Sequence, residues 1–143
     1  MAAGDDKSVM SARAPKPVGP YPHARRSGPF LFLSGIGPRQ AGSDDIPGVT
    51  RDGRGAIVDY DIELQTRACI ENIKRILEDA GSSLERVVDV AVFLTNIDRD
   101  FERFNKIYRE YFGEIQPTRT TVGVVALPTP IAIEMKVIAE AAE

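Results

Sequence analysis

Cysteine and histidine are almost absent from this chain of 143 residues, which contains only Cys69 and His23 of these two types and lacks tryptophan. A single thiol cannot form an intramolecular disulfide, which favours a reducing, cytoplasmic compartment. One cysteine and one histidine are also too few for the common zinc sites. Cys69 lies on the apolar stripe of a predicted helix, where we expect an inert core thiol.

Long apolar runs and the best-known cofactor motifs are missing as well. No segment reaches the roughly 18 apolar residues of a membrane span, and the N-terminus has no apolar core typical of a secretory signal. No GxGxxG, P-loop, GxSxG or HExxH pattern occurs, which removes the main support for dinucleotide, nucleotide, serine-hydrolase and zinc-protease functions. The net charge of −3 disfavours nucleic acid as the default partner.

Length and composition fit a single soluble domain, with 43% hydrophobic and 27% charged residues. Residues 1–17 mix glycine, proline and charges without periodicity, so we expect a flexible N-terminal arm before one domain over 18–143. A short apolar run at 30–34 predicts a strand that follows a hairpin turn. Residues 36–56 are rich in glycine and proline, which predicts a long loop of functional importance.

Two helices follow from apolar residues at helical spacing. The first stripe consists of Cys69, Ile73, Ile76, Leu77 and Ala80. Asp59 or Asp61 is the expected N-cap of this helix, and Gly81 is expected to end it. A second helix is predicted from about residue 99 to residue 111, with Asp98 as its N-cap.

Strands are predicted at 87–95, 120–125 and 131–139, which gives an α+β fold. The strand at 87–95 is apolar at nearly every position and should therefore be buried on both faces. Two helices can cover only one face of the sheet. Because no other element remains, we expect a second copy of the chain to cover the other face, in a homo-oligomer. The alternative is that this second face stays half exposed.

Two charged residues stand out within predicted strands. Arg119 begins a strand of small and apolar residues, where a guanidinium is costly unless an anion meets it. It could bind a carboxylate ligand with two parallel hydrogen bonds, or form a salt bridge at the strand end. Glu134 interrupts an apolar strand, on the face opposite the apolar stripe. Its carboxylate could exchange protons near neutral pH, pair with Lys136, or occupy a solvated edge position.

The spaced motifs of the chain, in their order, resemble the reactive-intermediate deaminase family, also called Rid or YjgF-type. The resemblance covers the chain from about Val18 to the C-terminus. It rests on Gly19-Pro20-Tyr21, Phe32-Leu33-Ser34-Gly35, Gln65-Thr66, Glu71-Asn72-Ile73, Leu77-Glu78-Asp79-Ala80-Gly81, Phe104-Asn105-Lys106-Ile107-Tyr108, Pro117-Thr118-Arg119-Thr120-Thr121-Val122, Leu127-Pro128 and Ile133-Glu134.

This resemblance implies a chorismate-mutase-like subunit, with a mixed six-stranded sheet and two helices packed on one face, in a homotrimer with sites between subunits. It also implies hydrolysis of enamine or imine carboxylates to a keto acid and ammonia, without metal or organic cofactor. Arg119 would hold the substrate carboxylate and Glu134 would position or activate water. The further substrate-binding positions would be Tyr21, Ser34, Gly35, Asn105 and Thr121.

The chain departs from many family members at several of these positions. Thr121 stands where many have cysteine, which excludes a thiol role there. The segment from Gly19 to Arg26 and the long loop resemble the branch of the family that deaminates 2-aminomuconate, an enamine with two carboxylates, in the catabolism of aromatic compounds. The product would be 4-oxalocrotonate (2-oxo-3-hexenedioate).

A second carboxylate needs a second donor, for which the candidates are His23, Arg25, Arg26 and Arg39. Our hypothesis is that His23 or Arg39 reaches it. The alternatives are a housekeeping 2-iminopropanoate or 2-iminobutanoate deaminase, a regulatory trimer that only binds small ligands, and a ribonuclease-like translation inhibitor. The acidic composition disfavours the last of these, and we expect no nucleic-acid or membrane partner.

Overall fold

Two helices cover one face of a six-stranded mixed sheet in the computed structural model, which describes residues 7–43 and 45–142. The sheet strands are β1 (Ser8–Val9), β2 (Ala24–Ser27), β3 (Phe30–Leu33), β6 (Val87–Leu94), β7 (Thr118–Gly123) and β8 (Ile133–Glu140). The helices are α1 (Ile62–Asp79) and α2 (Ile97–Phe112), and a 3-10 turn spans Leu84–Arg86. A separate hairpin consists of β4 (Val49–Arg51) and β5 (Ile57–Tyr60).

The strand order in the sheet is β1-β2-β3-β8-β6-β7. Only β6 and β7 pair in parallel, with α2 as the crossover between them, and the other pairs are antiparallel. A parallel pair requires such a crossover because the chain must return to the same end of the sheet. The predicted fold, a six-stranded mixed sheet with two helices on one face, is confirmed.

Capping side chains decide where the helices begin. The Asp61 carboxylate accepts the backbone N–H groups of Glu63 and Leu64, which selects Asp61 over Asp59 as the cap of α1. The prediction of Asp98 as the cap of α2 is wrong, because α2 begins two residues earlier than expected. Asn96 caps it through the Arg99 N–H, and Asp98 lies in the acidic first turn instead.

The core lies between the helices and one face of the sheet. Alternate residues of β6 and β8 point into it and are fully buried, namely Val90, Val92, Leu94, Ile133, Met135 and Val137. On the opposite face, Phe32 is 40% exposed and Val122 is 39% exposed, and no element among residues 7–43 and 45–142 covers them. The central strand is therefore fully buried on one face only within a single chain.

Two segments are more structured than their composition suggests. The predicted loop at 36–56 contains β4, which pairs with β5, and Ile36 forms a bridge with Met135 on β8. This part of the loop prediction is wrong, because glycines at turns leave room for short paired strands. No helix among the described residues has the length and apolar character needed to cross a membrane.

The N-terminal segment from residue 7 also contacts the domain, although the sequence predicts a loose arm. β1 pairs with β2, the Ser11 hydroxyl donates to Asp79 at 2.5 Å, and the Arg13 guanidinium donates to the same carboxylate at 2.7 Å. These contacts attach the segment to the C-terminal turn of α1. Residues 1–6 of the predicted arm lie outside the described residues.

Candidate functional site

Arg119 lies on β7 with its side chain on the face that α2 covers. Its guanidinium donates to the Asn105 side-chain oxygen at 2.7 Å and lies 4.6 Å from the ring centroid of Tyr108. Phe104 contributes a second ring at 5.3 Å. Among residues 7–43 and 45–142 the guanidinium has no carboxylate partner, so the alternative of a strand-end salt bridge is wrong. A half-buried cation held by an amide and aromatic rings is available to an anionic ligand.

A cavity of about 260 Å³ opens beside this guanidinium. Asn105, Tyr108, Arg109 and Gln116 contribute to its wall together with Arg119. This volume suits a small metabolite, since drug-sized ligands occupy roughly 300–1,000 Å³. The Tyr108 hydroxyl is buried and has no hydrogen-bond partner in the described part of the chain. An unpaired buried hydroxyl is costly, which favours a polar ligand or water at this position.

Glu134 lies on β8 and faces the open side of the sheet. Its carboxylate lies directly over the backbone of Gly35, so that a Cβ at this position would come within 2.8 Å of Glu134 Cδ. Burial raises the pKa of Glu134, and the nearby Lys136 charge opposes this shift only in part. Lys136 forms no ion pair with Glu134, and its ammonium donates instead to the Leu33 carbonyl oxygen at 2.7 Å.

Ser34 follows β3 and precedes Gly35, and it contacts the segment that carries Tyr21. The Ser34 hydroxyl donates to the Pro22 carbonyl at 2.8 Å, and the Ser34 N–H donates to the His23 carbonyl at 3.0 Å. These two bonds fix the end of β3 against the segment that carries Tyr21. The Tyr21 side chain is 39% exposed, and its hydroxyl accepts the Val18 N–H at 3.3 Å. It is therefore oriented and still accessible.

The predicted site residues thus form two groups on opposite faces of the sheet. Arg119 is aligned with Val90 of β6, which points into the core beneath the helices. Glu134 is aligned with Phe93, which points to the open face. We name the first group the arginine half-site (Arg119, Asn105 and Thr121) and the second the glutamate half-site (Glu134, Gly35 and Ser34). Within residues 7–43 and 45–142, no hydrogen bond joins Tyr21 to either group. One chain does not bring the two half-sites together.

Thr121 belongs to the arginine half-site by strand alternation. It lies two residues after Arg119 on β7 and pairs with Val92, so its side chain faces the covered side. Its hydroxyl is buried without a hydrogen-bond partner among residues 7–43 and 45–142. Two unpartnered hydroxyls, those of Thr121 and Tyr108, therefore lie on the side of the sheet that carries the arginine half-site.

His23 and Arg39 belong to neither half-site. His23 is 2% exposed, and its Nδ1 accepts the Ser11 N–H at 3.0 Å, which leaves the proton on Nε2 to be donated to the Pro15 carbonyl at 2.7 Å. With both ring nitrogens bound to the backbone, His23 has no nitrogen to offer a substrate carboxylate, which argues against that hypothesis. The Arg39 guanidinium donates to the Lys16 carbonyl at 2.9 Å.

Cys69 is a core residue, as the sequence predicts. Its thiol is fully buried on α1 and donates to the Ile36 carbonyl oxygen at 3.0 Å. Burial raises the pKa of this thiol, which keeps it protonated and unreactive. Within the described ranges, no three histidine, cysteine, aspartate or glutamate side chains are grouped as metal ligands would be.

Sequence analysis missed Tyr108, Arg109 and Gln116 as cavity residues. Tyr108 fits the apolar stripe of α2, so its position in the sequence indicates only a packing role. Arg109 lies four residues after Asn105, which places both on one face of the helix, and this spacing could have identified it. Gln116 has a positive φ of 60°, a backbone strain that the sequence does not reveal.

Comparison with known proteins agrees with this fold. A family model described as Endoribonuclease L-PSP matches residues 11–141. The chain is 44% identical over 131 residues to a RutC family protein of Pyrococcus abyssi, covering 92% of this chain and 94% of that protein.

Two solved structures are similar over nearly the whole chain. The Rid family protein YyfA of Yersinia pestis is 34% identical with a TM-score of 0.81, covering 95% of this chain and 99% of that one. The structure of E. coli TdcF with bound serine is 31% identical with a TM-score of 0.81 and the same coverage. The chain therefore belongs to the Endoribonuclease L-PSP family, the family of RutC, Rid and YjgF-type proteins.

Proposed function

We propose that this protein hydrolyses an enamine or imine that carries a carboxylate, releasing ammonia and a keto acid. The observation that carries the proposal is the half-buried Arg119 guanidinium, which lies beside a cavity and has no carboxylate partner in the described part of the chain. A binding site for a carboxylate needs such a group, and hydrolysis needs a base for water as well. Glu134, whose pKa burial raises, supplies that base in a different half-site.

The chemistry follows from these two groups. Arg119 binds the carboxylate next to the C=N bond and so fixes the position of the electrophilic carbon. The imine reacts in its N-protonated form. Ionised Glu134 takes a proton from water while the water oxygen adds to that carbon and the C=N electron pair moves to nitrogen, which gives a neutral carbinolamine. Glu134 then delivers this proton to the nitrogen. The C–N bond breaks as the carbinolamine hydroxyl gives its proton to Glu134 and becomes the ketone C=O, so that the keto acid and ammonia leave and Glu134, which now carries the hydroxyl proton, loses it to solvent. No electrons are exchanged with an oxidant or reductant in these steps.

The two half-sites can meet only between copies of the chain, so the proposal includes a homotrimer with its sites at subunit interfaces. The open sheet face supports this assembly, because Phe32 and Val122 leave apolar surface uncovered there. Arg119 of one copy would then face Glu134 of the next. A cyclic trimer would contain three equivalent sites.

We infer that 2-aminomuconate is the main substrate, with 4-oxalocrotonate and ammonia as products in aromatic-compound catabolism. The support is the segment Tyr21-Pro22-His23-Ala24-Arg25-Arg26 and the extended segment before α1. Hydrolysis of 2-iminopropanoate or 2-iminobutanoate is the alternative with the same chemistry. We also retain the cytoplasm as the expected location.

Binding without catalysis is the second candidate function, since TdcF was solved with bound serine and the arginine half-site alone can hold a carboxylate. A ribonuclease activity has less support. Ribonucleases commonly use histidine as acid or base, and the only histidine of this chain is buried with both ring nitrogens hydrogen-bonded.

The test follows ammonia release and loss of substrate absorbance with 2-aminomuconate and with freshly generated 2-aminoacrylate. We expect Arg119→Ala and Glu134→Gln to lose about 100-fold or more in kcat/KM on both substrates. Arg54→Gln, which removes an exposed charge on the β4–β5 turn, is the matched control and should keep full activity. Release of ammonia from neither substrate by the wild type would favour the binding function instead.

A further inference from the structure

A second arginine, Arg109, lines the cavity beside Arg119. It lies in the last turn of α2, one turn after Asn105, and the side chain of Asn105 accepts the hydrogen bond from Arg119. Across the described residues, Arg109 forms no ion pair and its guanidinium donates no hydrogen bond. Two arginines that have no ion-pair partner among these residues, the half-buried Arg119 and the exposed Arg109, therefore line one cavity of about 260 Å³.

An anionic ligand in this cavity can interact favourably with each arginine that its charge reaches. A ligand with a single carboxylate neutralises one of the two arginines. A ligand with a carboxylate at each end neutralises both, and the planar guanidinium fork suits each end. Gln116 and Tyr108 add uncharged donors to the same wall, and the Tyr108 hydroxyl is unpartnered.

We propose that Arg109 binds the distal carboxylate of a dicarboxylate ligand whose other carboxylate is bound by Arg119. This inference rests on the proposed function for the identity of the substrate as an imine, but the dicarboxylate preference can be measured by binding alone. It assigns the distal carboxylate to α2 rather than to the segment that contains His23 and Arg39. Arg109 is a binding residue that determines specificity, and it takes no part in the proton transfers.

Acidic residues also lie near Arg109 and provide the competing explanation. A neighbouring cavity is lined by Arg109 together with Glu85, Glu110 and Glu114. Glu110 is already paired with Arg67 at 2.9 Å, and neither of the other two lies within ion-pair distance of Arg109. If these carboxylates hold Arg109 in solution, its removal will leave the preference for dicarboxylates unchanged.

The experiment is calorimetric titration of the full chain with trans,trans-muconate and with sorbate. Both ligands are six-carbon dienes, and they differ in a terminal carboxylate that sorbate replaces with a methyl group. We expect the wild type to bind muconate about tenfold more tightly or better, which corresponds to one charge-assisted hydrogen bond of about 1.4 kcal/mol. Arg109→Gln should abolish this preference without weakening sorbate, and Arg109→Lys should keep part of it.

Arg54→Gln is the control for net charge and should bind both ligands as the wild type does. An unchanged ratio of muconate to sorbate affinity in Arg109→Gln overturns the inference, and so does a wild type that binds neither ligand. Turnover separates this result from the proposed function. If the protein hydrolyses imines but Arg109→Gln leaves the ratio of muconate to sorbate affinity unchanged, only the dicarboxylate assignment is refuted. If this ratio depends on Arg109 but no imine is hydrolysed, only the proposed deaminase function is refuted.

Discussion

Complementation between two inactive variants tests the division of the site most directly. Arg119→Ala removes the guanidinium of the arginine half-site, and Glu134→Gln removes the carboxylate that we propose as the base in the glutamate half-site. Each variant alone should be inactive as a homotrimer. In a hybrid trimer, however, one copy keeps Arg119 and another keeps Glu134. Because these side chains lie on opposite faces of one chain's sheet, we expect the hybrid to regain activity.

The size of the effect follows from cyclic symmetry. Each site would combine Arg119 of one copy with Glu134 of the next copy in the ring. Any trimer that contains both variants, in either ratio, has one interface at which both groups are intact. Its activity should therefore be about one third of the wild-type value per trimer.

The assay uses co-expression of the two variants with different affinity tags, purification over both tags, and ammonia release from the preferred substrate. As a control, each variant is co-expressed with itself under the two tags and purified in the same way, and these trimers of a single variant should stay inactive. The proposed site between copies would be refuted by a doubly tagged hybrid that sediments as a trimer and has no activity, provided that each variant alone also sediments as a trimer. It would mean that Arg119 and Glu134 act within one chain or do not act together.

Three further perturbations test the glutamate half-site and the N-terminal segment. Gly35→Ala should lower kcat about tenfold or more, because its Cβ collides with the Glu134 carboxylate, whereas Gly53→Ala meets no atom within 4 Å and should leave kcat unchanged in the same steady-state assay. Since burial raises the pKa of Glu134 in the folded state, the free energy of unfolding should fall as pH rises just above the ordinary carboxyl range. Urea titrations should show that Glu134→Gln lacks this fall, and the same pH dependence in both proteins would contradict the burial argument. His23→Ala leaves the buried Ser11 N–H without its acceptor and should lower the free energy of unfolding by about 2 kcal/mol, with full activity retained if His23 does not bind substrate.

Local sequence patterns were sufficient to predict the main helices and strands and the face of the sheet on which Glu134 lies. Alternation along the last strand predicts that Glu134 points away from Ile133 and Met135, and β8 has this arrangement. The helical stripe around Cys69 predicts α1 in the same way. These features depend on residues close in sequence, because the spacing of apolar residues along a strand or helix determines which of its faces is buried.

Features that depend on distant pairing could not be predicted. The face on which Arg119 lies follows from its parallel alignment with Val90, which the sequence of β7 does not specify. The burial of His23 depends on Ser11 and Pro15, in a segment whose composition resembles a loose arm. The β4–β5 hairpin is likewise held by pairing across a turn rich in glycine, where the sequence pattern indicates only a loop.

The division into half-sites explains how Arg119 and Glu134, which form no ion pair within residues 7–43 and 45–142, are tolerated in one folded chain. Arg119 and Glu134 are each only partly buried, so the cost of removing them from water is limited in the single chain. In the proposed trimer the same groups face each other across an interface, where less water raises the strength of their interaction with substrate. Gly35 contributes by lacking a side chain, since its backbone allows the Glu134 carboxylate to lie flat against the sheet. Assembly would therefore create the electrostatic environment that catalysis needs. The full free energy of removing these two charged groups from water would then be required only when the trimer forms, and not when the single chain folds.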